Sequence, residues 1–161
     1  MWEWESSTKR TLSGGRADLR ELPRGPTGRA LCRWCELEVP PRRRSFCSDW
    51  CVHEWRLRSD PGYLREQVLA RDKGICAECG LDTLSEWTRL RRMRPARRTG
   101  VLRDWGISGK RSSLWDADHI VPVAEGGGEC DLTNLRTLCY KCHKKSTAAL
   151  RARLASLRAG P

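Results

Sequence analysis

Phenylalanine is almost absent from this chain, at one in 161 residues, and only 39% of the sequence is hydrophobic. So sparse an apolar complement excludes a large core, and small domains built this way are usually held by a bound metal or by disulfides. No apolar run approaches the roughly 20 residues of a membrane-spanning helix, so no membrane partner is expected. The opening Met1-Trp2-Glu3-Trp4-Glu5 lacks a basic segment followed by an apolar one. No secretory leader is therefore expected, and the chain reads as intracellular (cytoplasm or nucleoid, or nucleus in a eukaryote). Acidic residues are also short, at 20 against 31 basic ones for a net charge of +11, and none follows Asp131. That surplus points to a polyanionic partner. The length allows one compact domain or two small ones.

What the chain has in quantity is cysteine, nine in all. Two close pairs, Cys32-x₂-Cys35 and Cys47-x₃-Cys51, stand eleven residues apart. Four thiolates so spaced suit a tetrahedral structural zinc. A second set is split more widely: Cys76-x₂-Cys79 upstream and Cys139-x₂-Cys142 downstream, with 59 residues between them. Paired spacings in an intracellular chain favour zinc over disulfides. Cys130 is left over as a plain thiol. His53 follows a complete thiolate set and reads as a surface or packing residue.

The organisation follows from these sets. Residues 1–30 are expected to be a flexible lead, with Gly14-Gly15 and a Pro- and Gly-rich stretch at 23–28. Trp2 and Trp4 are either a docking motif or a cover for part of the fold. Residues 31–59 form a four-cysteine finger ending in a short helix. Arg42-Arg43-Arg44 in its loop is either a phosphate contact or a solvated run. Residues 60–161 make the second domain, opening on a helix capped by Asp60 with Pro61 in its first turn. A basic insertion occupies about 82–116. It holds nine basic and four acidic residues together with Trp87, Trp105 and Trp115. A helix is expected over 84–94 and a loop that orders on substrate over 95–113. Trp87 and Trp115 read as core, whereas Trp105 suits either core or base stacking. Residues 114–123 and 135–138 read as strands, and residues 140–157, rich in alanine, as a helix.

Between the halves of the second cysteine set lie Asp118-His119-Ile120-Val121-Pro122, the run Gly126-Gly127-Gly128 and Asn134-Leu135, and the downstream half ends in Cys142-His143-Lys144-Lys145. Asp118 offers an oxygen ligand to a hard divalent cation, and His119 can take a proton from water. His143 follows a zinc-ligand cysteine, which pins it in space. Such a constellation suits metal-assisted hydrolysis of a phosphodiester.

Over roughly residues 60–150 this pattern resembles the HNH nuclease family. Within it, the pattern is most similar to the HNH module of vertebrate annealing helicases that carry a RAN-binding-type zinc finger. The resemblance implies an α+β chain: a treble-clef-like finger, then a ββα-metal core of strand, strand and helix. It implies a structural zinc on Cys76, Cys79, Cys139 and Cys142, beside the one on Cys32, Cys35, Cys47 and Cys51. Asp118 and His143 would hold a catalytic Mg²⁺, Mn²⁺ or Ni²⁺, and His119 would be the general base. Asn134 would brace the loop, and Lys145 matches a basic position of the family. Strand alternation would point Asp118 and His119 to opposite faces, so a bulge or turn is expected near Pro122.

The function expected is a DNA endonuclease nicking forked or branched DNA, with a helicase or ATPase as partner in trans. Arg97, Arg98, Lys110, Arg111, Lys144 and Lys145 are the candidate DNA contacts. Two rivals stand beside it. A restriction- or homing-type HNH enzyme would cut at discrete sequences, and a non-catalytic zinc-finger adaptor would have no use for Asp118, His119 and His143 together.

Overall fold

The computed structural model describes residue 10, residues 16–108 and residues 111–159. Trp2, Trp4 and Lys110 therefore lie outside the described residues. Among the described residues five α-helices and two strands follow in the order α1 (Asp49–Ser59), α2 (Pro61–Asp72), α3 (Thr83–Arg91), α4 (Pro95–Asp104), β1 (Trp115–His119), β2 (Leu135–Cys139) and α5 (Tyr140–Ala159). The chain divides into two compact units within α2, one ending at Arg65 but including 129–131, the other comprising the rest. Among the described residues no helix is long and apolar enough to cross a membrane.

In the first unit the core is small and sulfur-rich. Cys32, Val39 and Cys51 are buried, with Trp34, Cys35, Phe46 and Cys47 packed against them. Ser48 caps α1 by accepting a hydrogen bond from the Cys51 amide, which orders the turn that presents Cys51. Of the stretch expected to be a flexible lead, residues 16–30 join this unit: Arg24 bridges to Ala30, and just beyond it Leu31 bridges to Glu38. Backbone pairing there outweighs the Pro and Gly content that suggested a loop. Cys130 also belongs to this unit and is 1% exposed. Asp60 accepts a hydrogen bond from the Tyr63 amide and so caps α2 as its sequence requires.

In the second unit α2 ends where Lys73 and Gly74 take positive φ (53° and 73°), which reverses the chain into the Cys76 knuckle. Arg71 then donates to the carbonyls of Leu132 and Leu135, and Asp72 accepts from the Thr137 amide, so the end of α2 is tied to β2. Asp82 caps α3 through the amides of Leu84 and Ser85. The loop expected over 95–113 is not there as such: Pro95–Asp104 is the helix α4. Proline suits a first helical turn, while Gly100 and an arginine-rich surface weaken the helical pattern. Val101, Leu102 and Trp105 pack on a buried cluster of Leu90, Ile107 and Leu114, with Trp87, Met93 and Tyr140. Trp105 is thus part of a local core, and Trp115 is 4% exposed.

β1 and β2 pair antiparallel, with Asp116 opposite Leu138, Asp118 opposite Arg136 and His119 opposite Leu135. β1 is shorter than the strand expected over 114–123. After His119 the chain leaves the ladder, and Ile120 and Val121 stand half-exposed. No gap interrupts the pairing, so the irregularity near Pro122 is a turn and not a bulge. It closes on a short 3₁₀ segment, Val123–Glu125, and on Gly126 at φ 90°. β2 then runs directly into α5. This is the α+β arrangement of a treble-clef-like finger and a ββα-metal core.

Candidate active site

The two thiolate sets are each drawn together. In each, the four sulfurs lie within 4.8 Å of one another. In the first, Cys35 and Cys47 are 3.4 Å apart, Cys47 and Cys51 3.4 Å, and Cys51 and Cys35 3.7 Å. In the second, Cys79 and Cys139 are 3.8 Å apart. Disulfide sulfurs lie about 2.05 Å apart, whereas a tetrahedron with metal–sulfur bonds of about 2.3 Å has edges near 3.8 Å. The sets therefore fit a four-coordinate ion and not a pair of disulfides. Burial raises the Cys32 and Cys76 thiols. Hydrogen bonds from backbone amides more than offset this and bring each down to about 7, towards the thiolate a metal needs.

The second set is built into the sheet. Gly80, at φ 70°, donates to the Cys76 carbonyl and closes the knuckle, and the Ala77 amide donates to the Thr137 carbonyl of β2. Cys139 is the last residue of β2, and Cys142 lies in the first turn of α5. His143 is the next residue of α5. One helix turn therefore carries a thiolate ligand and an imidazole side by side.

His143 meets β1 through both ring nitrogens. Nε2 lies 3.6 Å from Asp118 Oδ1, and Nδ1 lies 3.3 Å from Asp116 Oδ2. Two coordination bonds of about 2.1 Å span at most about 4.2 Å, so Asp118 and His143 are close enough to ligate one cation. Asp116 is placed to accept the Nδ1 proton, which would leave Nε2 free to ligate a cation in a carboxylate–histidine–metal arrangement. Arg111 holds Asp116 in turn: one of its terminal nitrogens is 2.8 Å from both carboxylate oxygens, and its guanidinium lies over the Tyr140 ring at 4.7 Å. Burial raises the Asp116 carboxyl, but the His143 and Arg111 contacts prevail and hold it at about 2. The Asp116 hydrogen bond raises His143, against the opposing effect of burial.

The second oxygen of Asp118 is also occupied. Ser146 Oγ donates to it at 3.4 Å, and Arg136, across the ladder, is 3.5 Å away. Arg136 also pairs with Glu78 of the knuckle at 2.6 Å. Arg136, Ser146 and Lys145 border an open concavity of about 460 Å³ beside Asp118. Glu78, Cys79 and Cys142 also line it, so two cations and one carboxylate face the space.

The remaining candidates fall in different places. His119 is half-buried, next to Asp118 and last in the ladder before the chain turns away. Asn134 fastens the turn that follows: its Oδ1 accepts from the Val121 amide, and its Nδ2 donates to the carbonyls of Val121 and Gly128. A side chain at Gly127 would overlap the Val121 carbonyl and the Asn134 amide, so the middle glycine of the run is a steric necessity. Lys144 and Lys145 are exposed on α5, and Arg97 and Arg98 lie on α4. Arg111 is engaged inward, on Asp116. Sequence reasoning missed Asp116 and Arg136, although two signals pointed to them. Asp116 is two residues before Asp118 on a strand and so shares its face, and Arg136 is the ladder partner of Asp118.

Carboxylates on one strand facing an imidazole on the following helix form an arrangement suited to a divalent cation, as a metal-dependent nuclease requires. The family model described as HNH endonuclease matches residues 106–149. The protein described as DNA annealing helicase and endonuclease ZRANB3 is 36% identical over 143 residues in Mus musculus, and equally so in Homo sapiens. Those matches cover 75% of this chain but 13% of either relative, so the chain spans only a small part of their length. The crystal structure of the human ZRANB3 HNH domain has 31% identity and a TM-score of 0.48, covering 62% of this chain and 97% of that one. The chain belongs to the HNH endonuclease family and is a nuclease.

Proposed function

We propose that the protein cuts DNA by metal-dependent hydrolysis, nicking forked, branched or otherwise structured substrates and leaving a 5′-phosphate and a 3′-hydroxyl. The observation that carries this reading is the approach of Asp118 and His143 to one point, with Asp116 behind the imidazole. A divalent ion bound there (Mg²⁺, Mn²⁺ or Ni²⁺) supplies Lewis-acid stabilisation of the leaving 3′-oxygen and of the charge on phosphorus. Asp118 and His143 hold it, and zinc on each four-cysteine set holds the frame. His119 takes the proton of the attacking water. Arg136 and Lys145 receive the phosphate, and Asn134 keeps the turn that sets His119 in place. The relatives' names, which join an annealing helicase to an endonuclease, support DNA as the substrate and a helicase or ATPase as a partner. An intracellular setting keeps the paired thiols reduced.

A cleavage panel tests the reading: single-stranded, duplex, forked and branched DNA, each with magnesium, manganese and nickel. Nicks enriched at the forks and junctions support it. Cleavage at discrete sequences on a long random duplex would instead mark a restriction- or homing-type enzyme, and no cleavage under any metal would mark an adaptor.

Asp116→Asn keeps the size of the side chain but weakens its acceptance of the Nδ1 proton. It should lower the affinity of the site for its divalent ion about 10- to 100-fold, with cleavage recovering at higher metal concentration. Unchanged metal dependence would show that Asp116 does not orient His143. Neutralising Arg97, Arg98 and Lys110 together should flatten the salt dependence of DNA binding, by roughly 0.7 to 0.9 in the log–log slope for each phosphate that is no longer neutralised. Arg111 is left out of that set because its removal would disturb Asp116. An unchanged slope would place the grip on α5 instead.

A further inference from the structure

The nuclease reading makes no use of the arginine run in the finger, or of the most exposed tryptophan among the described residues. They stand on one unit. Pro40 accepts a hydrogen bond from the Arg43 amide, and Arg42 between them adopts φ 70°, a conformation that glycine or asparagine would take more readily. This turn sends Arg43 and Arg44 into a concavity of about 390 Å³, whose other wall carries Arg24 and Arg29. No carboxylate is among the residues lining it. Two stand nearby. Asp49 is 2.8 Å from Arg43, and Glu38 is taken up by the amide and hydroxyl of Thr27. Arg24 and Arg29 are steadied by the carbonyls of Gly28 and Val39. Arg44 is exposed and has no partner among the described residues.

Asp49 begins α1, and Trp50 beside it is 65% exposed. The Trp50 ring is backed by His53, with centroids 5.8 Å apart and planes 37° from parallel. His53 is fixed by a 2.8 Å hydrogen bond to the Tyr63 hydroxyl, and Arg56 covers the Tyr63 ring at 3.8 Å. The tryptophan therefore has one face supported and a large apolar surface in water, which is the form of a stacking platform.

We propose that the finger is a second nucleic-acid site, one that binds an unpaired stretch of DNA. The arginine-lined concavity takes backbone phosphates and Trp50 stacks on an exposed base. Guanidinium groups suit phosphate oxygens, and aromatic stacking serves any base whose face is free. A duplex offers the phosphates but keeps its base faces covered, so Trp50 is what makes the site prefer a single strand. Binding alone is at issue, and the site stands whether or not His119 acts as a base.

The test is fluorescence anisotropy on the full zinc-loaded chain, with labelled single-stranded and blunt duplex DNA, a salt series and no added catalytic ion. Arg43→Gln with Arg44→Gln should lower the log–log salt slope on the single strand by about 0.7 per phosphate released. Arg43→Lys with Arg44→Lys should restore most of it. Trp50→Ala should weaken single-strand binding roughly 5- to 150-fold and leave the duplex unchanged, with Trp50→Phe close to wild type. Zinc content and circular dichroism establish that each variant is folded. An unchanged salt slope in the folded Gln pair would overturn the phosphate site. Equal weakening on single strand and duplex for Trp50→Ala would overturn the stacking of an unpaired base.

Discussion

Purified protein should contain two tightly held zinc ions per chain, and stripping them with a chelator should unfold it. The physical reason is the scarcity of other cohesion. The core of the first unit is largely its own cysteines, and one buried cluster of the second consists of Cys76, Leu138 and Cys139, with Leu81 and Cys142 against it. Structural zinc contributes on the order of 10–16 kcal/mol in finger peptides, comparable to or larger than the net stability of a typical domain. Removing it leaves four thiols facing one another with nothing to bind them. Cys139→Ser should cost one zinc and melt the sheet, because the residue ends β2 and begins the turn into α5. Cys35→Ser should cost the other and leave the second site loaded. Elemental analysis of a folded preparation that returned one zinc or none would defeat the assignment of both clusters.

Abolished cleavage in His119→Ala, with zinc content, fold and DNA affinity unchanged, is the second large effect expected. Removing a general base typically slows the chemical step by about 10²–10⁴. Asp118→Ala and His143→Ala should also fail, but for another reason. Each removes one of two groups that share a cation, so raising the divalent metal should recover part of their activity and none of that of His119→Ala. Cleavage by His119→Ala at the wild-type rate, under every metal, would mean that other residues activate the water. Equal failure to rescue all three would mean that Asp118 and His143 do not act through a metal.

Much of this was legible in the sequence because cysteine spacing and the Asp-His, Asn and Cys-x₂-Cys-His series are local signals with strict chemical demands. The start of α2 was legible for the same reason: Asp60 before Pro61 announces a helix. What stayed hidden depends on contacts distant in sequence. α4 carries Gly100 amid arginines, and its helix is held by Val101, Leu102 and Trp105 finding Leu90 and Leu114. The pairing of Arg24 with Ala30 could not be separated from a loop by composition. The role of Asp116 emerges only when α5 brings His143 against β1, since an aspartate in a strand has no meaning by itself. Arg111 had every appearance of a phosphate contact until its guanidinium was found on that same aspartate.

β2 passes into α5 with no residue between strand and helix, and this junction carries Cys139, Cys142 and His143. A helix turns about 100° per residue. One extra residue between Cys142 and His143 would swing the imidazole about a quarter of the way around the axis, away from both aspartates, while the thiolates upstream kept their places. The same insertion between α3 and α4 would lengthen an exposed connection and move nothing that ligates. Length variation among natural versions of this chain is therefore expected to crowd into the segment before β1 and to spare the five residues from 139 to 143, which must be inherited as a block.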